Sequence, residues 1–377
     1  MRTSRKIAPI ALLLILAAAG CGKASTVSSG GSGKAADGSD KIAGSATLAG
    51  YDALPFKDIL AMPAGKVKID GKDEITIGFS QTCFNHPWRK AMLESVLAEV
   101  KRHPNVSVIT VDGNCDVAKQ SNDIDDLLAR GVDAIVMSPV ESAGLAPAAR
   151  RVLKANVPLV LLDRDVPAEK TVFIGQSNVE MAYETAKKMV ADLGGKGEIV
   201  EITGLSGSSP ATDRSAGLKR ALAEAPGIKV LAVGDGQWVR EPAVKLAEDW
   251  LTKFPNIDAV FSHAEESSWG AMQAIKNAGR CDEGIKQYTH DGSGPGFKAV
   301  QEGQFQGDGN YSPFIGDIGV RAALLSLQGK QIEGAKPYTE PGQYLQLPSL
   351  PLVTADNAAE WIPKGWGTFD LPKDPCK

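Results

Sequence analysis

The sequence predicts an α/β protein made of two doubly wound parallel-sheet lobes, and three observations carry that expectation. Short β-rich apolar runs alternate with helical patterns from Glu74 onward. The alternation passes through two successive cycles, the second beginning near Asn178. A chain of 377 residues also has the length for two domains, each able to bury a full core. Continuous apolar runs are the pattern of parallel strands buried on both faces, and sustained βαβ alternation implies right-handed crossovers.

In the first cycle, residues 75–80 read as a strand and 87–102 as a helix with Met92, Leu93, Val96, Leu97 and Val100 on one face. A strand over 106–111 follows, then a helix over 117–130 that turns Ile124, Leu127 and Leu128 inward and stops at Gly131. Strand 134–138, helix 144–155 and strand 158–162 complete the cycle. In the second, Asn178 is a candidate N-cap for a helix over 179–193. Strands over 198–203, 228–233, 259–262 and 285–289 then alternate with helices over 211–225, 242–253 and 267–277, before a short helix near 296–302.

Composition excludes several classes. With 43% hydrophobic and 23% charged residues the chain is neither disordered throughout nor a polytopic membrane protein. A net charge of -4 and no long basic run argue against nucleic acid as a partner. Only four histidines leave little for a histidine-rich metal site, and neither a metal nor another cofactor is expected. The phosphate-loop, His-Glu-x-x-His and Gly-x-Ser-x-Gly patterns are missing, so no enzyme is expected. Glu265 and Glu266 are adjacent and cannot flank a glycosidic bond at the roughly 5–9 Å that hydrolysis needs.

The first residues read as an address. Arg2, Arg5 and Lys6 precede an apolar run over 7–19 that is short for a membrane span, as in a secretory signal. The run ends Leu16-Ala17-Ala18-Ala19-Gly20-Cys21, which resembles a bacterial lipobox with Cys21 as the lipidated residue. Residues 1–20 are therefore expected to be a signal peptide. Residues 21–72 are expected to be a flexible linker holding the protein to a membrane by its lipid, outside the cytoplasm. The linker is Ser/Gly/Ala-rich to about Gly50, a stretch that reaches on the order of 30 Å. A transcription factor of similar fold would need a helix-turn-helix in this position. Four further cysteines are an even number in a disulfide-permissive compartment. If the strands over 75–80 and 106–111 are neighbours, Cys83 and Cys115 lie at one sheet edge and can be bridged. Cys281 and Cys376 then form the second pair, the alternative being free buried thiols.

Ligands of doubly wound sheets bind at the carboxyl edge of the strands. The loops there hold Ser80 to Arg89, Asp112-Gly113-Asn114, Asp163-Arg164-Asp165, Asp213-Arg214, Asp235 to Trp238, His263 to Glu266 and His290-Asp291-Gly292. Carboxylates, arginines and aromatic faces around one cleft suit a polyhydroxylated solute: Asp accepts from its hydroxyls, Arg donates to them, and rings cover its C–H surface. His263 is a candidate donor.

The phrases Gly78-Phe79-Ser80-Gln81 with Trp88-Arg89, Gly131-Val132-Asp133-Ala134-Ile135, Leu161-Leu162-Asp163-Arg164, Asp213-Arg214-Ser215-Ala216-Gly217, Gly270-Ala271-Met272-Gln273-Ala274-Ile275 and Asp291-Gly292 follow in an order that resembles the ribose/galactose-type (type I) periplasmic solute-binding proteins of sugar ABC transporters. The resemblance runs from about Glu74 to Gln331. It implies a three-stranded hinge, with a first lobe over 73–176 plus 311–338 and a second over 177–310 plus 339–377. It implies that Phe84 and Trp88 flank a sugar ring, and that Arg89, Asp163, Arg164, Arg214, Asp291 and Asn310 contact its hydroxyls. An asparagine usual after the strand ending near Ser262 is Ala264 here, preceded by His263. The expected function is capture of a monosaccharide or polyol by a monomer, for delivery to an ABC permease. Alternatives are a ligand sensor for a chemoreceptor or kinase, or a binder of a non-sugar metabolite.

Overall fold

The computed structural model describes residues 26–27, 48, 50–338 and 342–377. The signal segment over 1–20, Cys21 and most of the linker to Gly50 lie outside the described residues.

Two parallel sheets form as the apolar runs require. The first contains β1 (Thr26–Val27), β2 (Ile75–Gln81), β3 (Val106–Asp112), β4 (Ala134–Met137), β5 (Leu159–Leu162), β6 (Val172–Gly175), β12 (Lys336–Pro337) and β13 (Gln343–Gln346). Its order is β1-β3-β2-β4-β5-β6-β13-β12, parallel except where the two-residue strands pair at its edges. Every residue of β4 and β5 is buried, which is why those strands show no polar alternation. The second sheet orders β7 (Lys196–Thr203), β8 (Gly227–Asp235), β9 (Ala259–Ser262), β10 (Lys286–His290) and β11 (Gly307–Gly309) as β11-β10-β9-β7-β8, all parallel.

Helices α1 (Pro87–Lys101), α2 (Val117–Ala129), α3 (Ser142–Lys154) and α9 (Gly316–Leu327) belong to the first lobe. The second carries α4 (Asn178–Asp192), α5 (Ser209–Ala223), α6 (Arg240–Lys253), α7 (Glu265–Asn277), α8 (Gly294–Gln301) and α10 (Ala358–Trp361). The cap of α4 differs from expectation. Ser177 accepts from the Glu180 N–H, while Asn178 is buried and accepts from Arg214. Both residue types cap well, and the neighbouring guanidinium takes Asn178 out of that role.

The described chain passes between the sheets three times: from β6 to α4, from β11 to α9, and from β13 into the tail, where Leu347 bonds Gly175 and Val353 bridges Asp308. Two boundaries move from the sequence reading. Residues 343–346, expected in the second lobe, belong to the first sheet, because β13 pairs in register with β6. The linker does not run to 72: Tyr51, Leu54, Phe56 and Val67 are buried in the first core. Its anchor is ionic as well as apolar. Arg321 meets Glu99 and Asp317 at 2.9 Å each, bonds the Lys57 and Ile59 carbonyls, and Tyr51 donates to Asp317 at 2.5 Å. A buried guanidinium is tolerated only with such partners.

Both expected disulfides are present, Cys83–Cys115 and Cys281–Cys376. The second closes 95 residues and ties the tail to the second lobe. Replacing Cys281 and Cys376 by serine is expected to cost about 2–4 kcal/mol, since the released loop regains entropy when unfolded. Denaturant melts of the double variant check this, and a midpoint equal to wild type would contradict it.

Candidate functional site: a cleft between the lobes

Both sheets reverse their winding direction, at β2/β4 and at β7/β9, and the loops beyond those strand ends face each other. Between them lies a cavity of about 140 Å³. The first lobe lines it with Thr82, Cys83, His86, Trp88, Arg89 and Asp163-Arg164, the second with Pro210, Arg214, Trp238 and Asp291; Tyr311 joins them from the second crossing.

Trp88 sits in the first turn of α1, stacks on Tyr311 with centroids 5.8 Å apart, and donates its indole N–H to the Tyr311 carbonyl at 3.0 Å. Arg89 lies over the Trp88 ring at 4.7 Å and donates to Asp163 at 2.8 Å and to Ser138 at 3.0 Å. Asp163 leaves β5 with φ 64, a left-handed conformation that aspartate tolerates better than most residues. Its amide still bonds the Ile174 carbonyl. Arg164 is 1% exposed and donates to the carbonyls of Val140 at 2.8 Å and Pro139 at 3.3 Å.

Arg214 links four elements. Its Nε donates to Asn178 at 2.8 Å, its Nη1 bonds the His263 carbonyl, and the same nitrogen lies 3.7 Å from Asp291. Its guanidinium also rests 5.3 Å from both the Trp238 and the Tyr311 rings. Trp238 therefore has a cation from each lobe beside it, with Arg164 at 5.6 Å.

Burial governs the ionisation. It raises the Asp291 pKa well above the usual carboxylate range, against the pull of Arg214. Burial, aided by Arg89 and Arg214, pushes His86 down to about 3, so its imidazole is neutral at physiological pH. His86 Nδ1 accepts from the Trp88 N–H, which places the ring proton on Nε2.

Six expected ligand residues meet in the cavity: Trp88, Arg89, Asp163, Arg164, Arg214 and Asp291. Three do not line it. Phe84 packs on the first core, because the loop from Thr82 turns it away and brings His86 round instead. His263 is buried with both ring nitrogens engaged, accepting from Gly204 N–H at 3.2 Å and facing Glu201 at 3.1 Å. Asn310 is buried against Gly292, where an added Cβ would stand 2.5 Å from its Oδ1. Ala264, which replaces the usual asparagine, is buried and gives α7 no side-chain cap.

A family model described as a periplasmic binding protein domain matches residues 77–331. The chain belongs to that family. It is 32% identical over 255 residues to the xylitol-binding protein of Mycolicibacterium smegmatis, covering 67% of this chain and 70% of that one. The fructose-binding periplasmic domain of a hybrid two-component system superposes with a TM-score of 0.69 at 31% identity, covering 76% of this chain and 93% of that chain. The binding protein of the arabinose ABC transporter from Shewanella sp. ANA-3, solved with L-arabinofuranose, gives 0.69 at 26% identity over 77% and 95%. Like these periplasmic binding proteins, the chain has two parallel-sheet α/β lobes.

Within that family frame, sequence reasoning put His86 and Trp238 in cleft-edge loops without assigning either to the ligand, and missed Tyr311. Trp238 carried a signal in Gly204: a Cβ there would lie 2.0 Å from the indole, so glycine is what lets the ring lie flat on the loop.

Proposed function

We propose that this protein captures a monosaccharide or related polyol between its lobes and delivers it to an ABC permease. In this reading it is a monomeric extracytoplasmic lipoprotein, anchored through Cys21, that binds without catalysing. The observation that carries it is the alternation of guanidinium and carboxylate around aromatic faces: Arg89–Asp163 and Arg214–Asp291 beside Trp88, Tyr311 and Trp238. Vicinal hydroxyls donate to a carboxylate and accept from an arginine, while the rings cover the C–H faces. The arabinose transporter component supports the transport reading. The two-component domain favours a second one, in which the closed lobes signal to a kinase.

A thermal-shift screen of pentoses, hexoses, their alditols and sugar acids, and inositols tests the proposal. A ligand at 100 times its Kd adds about 2.7 kcal/mol of stability. Stabilisation by at least one compound is expected; none by the whole set would overturn the reading. Uptake by vesicles carrying the cognate permease then separates transport from sensing.

A further inference from the structure

The cavity has more positive charge and more hydrogen-bond donors than its own groups absorb. Among its described lining residues are three guanidiniums, Arg89, Arg164 and Arg214, and two carboxylates, Asp163 and Asp291. Arg89 takes Asp163 at 2.8 Å and Arg214 lies nearest Asp291 at 3.7 Å. Arg164 is the remaining cation. It sits 3.6 Å from an Asp163 already held by Arg89, and its bonds go to the neutral carbonyls of Pro139 and Val140.

Three N–H groups on lining residues are buried and make no hydrogen bond: Arg164 Nε, 3.6 Å from Asp163, His86 Nε2, 3.9 Å from Asp291, and Trp238 Nε1. Arg164 and His86 are 1% and 7% exposed. Buried donors left without a hydrogen bond are costly, and Arg164 lies 5.6 Å from the Trp238 ring, so an occupant that supplies acceptors on that side of the cavity is favoured. Hydroxyls supply acceptors but bring as many donors. A carboxylate brings two acceptor oxygens, no donor, and the missing negative charge. Arginine is the side chain whose donor fork matches it.

We propose that the preferred ligand is a polyhydroxylated acid of sugar size, an aldonate or uronate, whose carboxylate lies against Arg164 beside Trp238. The inference rests on the polyhydroxylated-solute reading above and adds an anionic group to it. The hydroxyls then fall to the Arg89–Asp163 and Arg214–Asp291 pairs. Burial and the neighbouring Arg89 lower the Arg164 pKa well below the usual guanidinium value, and an anion beside it reverses that strain.

The experiment is calorimetry at pH 7 with matched sets on one carbon skeleton: xylonate, xylose and xylitol, then gluconate, glucuronate, glucose and glucitol. An acid is expected to bind at least about tenfold tighter than its neutral counterparts. In Arg164→Gln that preference should vanish, with affinity for the neutral members changed less. A folded Arg164→Gln that keeps the preference would overturn the placement at Arg164. A neutral sugar or alditol binding as tightly as its acid would overturn the anionic ligand and leave the proposed function standing. Binding by no acid, sugar or alditol overturns both.

Discussion

Arg214→Ala should weaken ligand binding by about two orders of magnitude or more. The side chain joins α5 to Asn178 at the start of α4, to the loop after β9 through the His263 carbonyl, and to Asp291 beyond β10. Truncation removes a guanidinium from the cavity wall and leaves Asp291 buried without its nearest cation. Losing one partner of a buried charge pair costs about 2–5 kcal/mol, and each 1.4 kcal/mol is tenfold in Kd. Arg220→Ala is the control. It lies on the same helix but outside the cavity, half-exposed, where it pairs with Glu180 at 2.7 Å and covers the Tyr183 ring, so its loss should leave binding near wild type. Titration of both variants with the compound found by thermal shift decides the matter. An Arg214→Ala protein binding within about threefold of wild type would make the residue structural.

The same residue shows what a sequence discloses and what it does not. Asp163, Arg164, Arg214 and Asp291 were legible because each follows a strand or opens a helix whose pattern is plain, and a parallel sheet presents that edge to its ligand. Strands β6 and β13 were not read as strands: four residues with a glycine or glutamines in them look like loop until their neighbours pair with them. Which residue of a loop faces the cleft depends on the loop's path. In 82–86 that path is fixed by the Cys83–Cys115 bridge and by His86 capping α1, and neither constraint says from spacing alone that Phe84 turns to the core. Trp238 depends on two successive left-handed residues, Gln237 at φ 54 and Trp238 at φ 68, which no local preference announces. The burial of Tyr51 and Phe56 rests on α1 and α9, contributed by segments far along the chain.

Gly217→Val carries the second large expected effect, through packing rather than contact with ligand. Helices α4 and α5 touch along their backbones, and a Cβ on Gly217 would stand 2.4 Å from the Val179 carbonyl oxygen and 2.8 Å from the Tyr183 nitrogen. Those are main-chain atoms inside a helix, so no side-chain rotamer can yield and the two helices must part. Overpacking of this kind costs about 1–3 kcal/mol, more where backbone has to move. Arg214 precedes Gly217 by one helical turn, and its bond to Asn178 spans the interface that would open. The variant should therefore melt at a lower temperature and also bind less tightly, because the guanidinium moves away from Asp291. Differential scanning calorimetry and ligand titration on the same sample measure the two losses. A variant with wild-type melting temperature would mean that α5 shifts freely, and that the close approach at Gly217 does not set the position of Arg214.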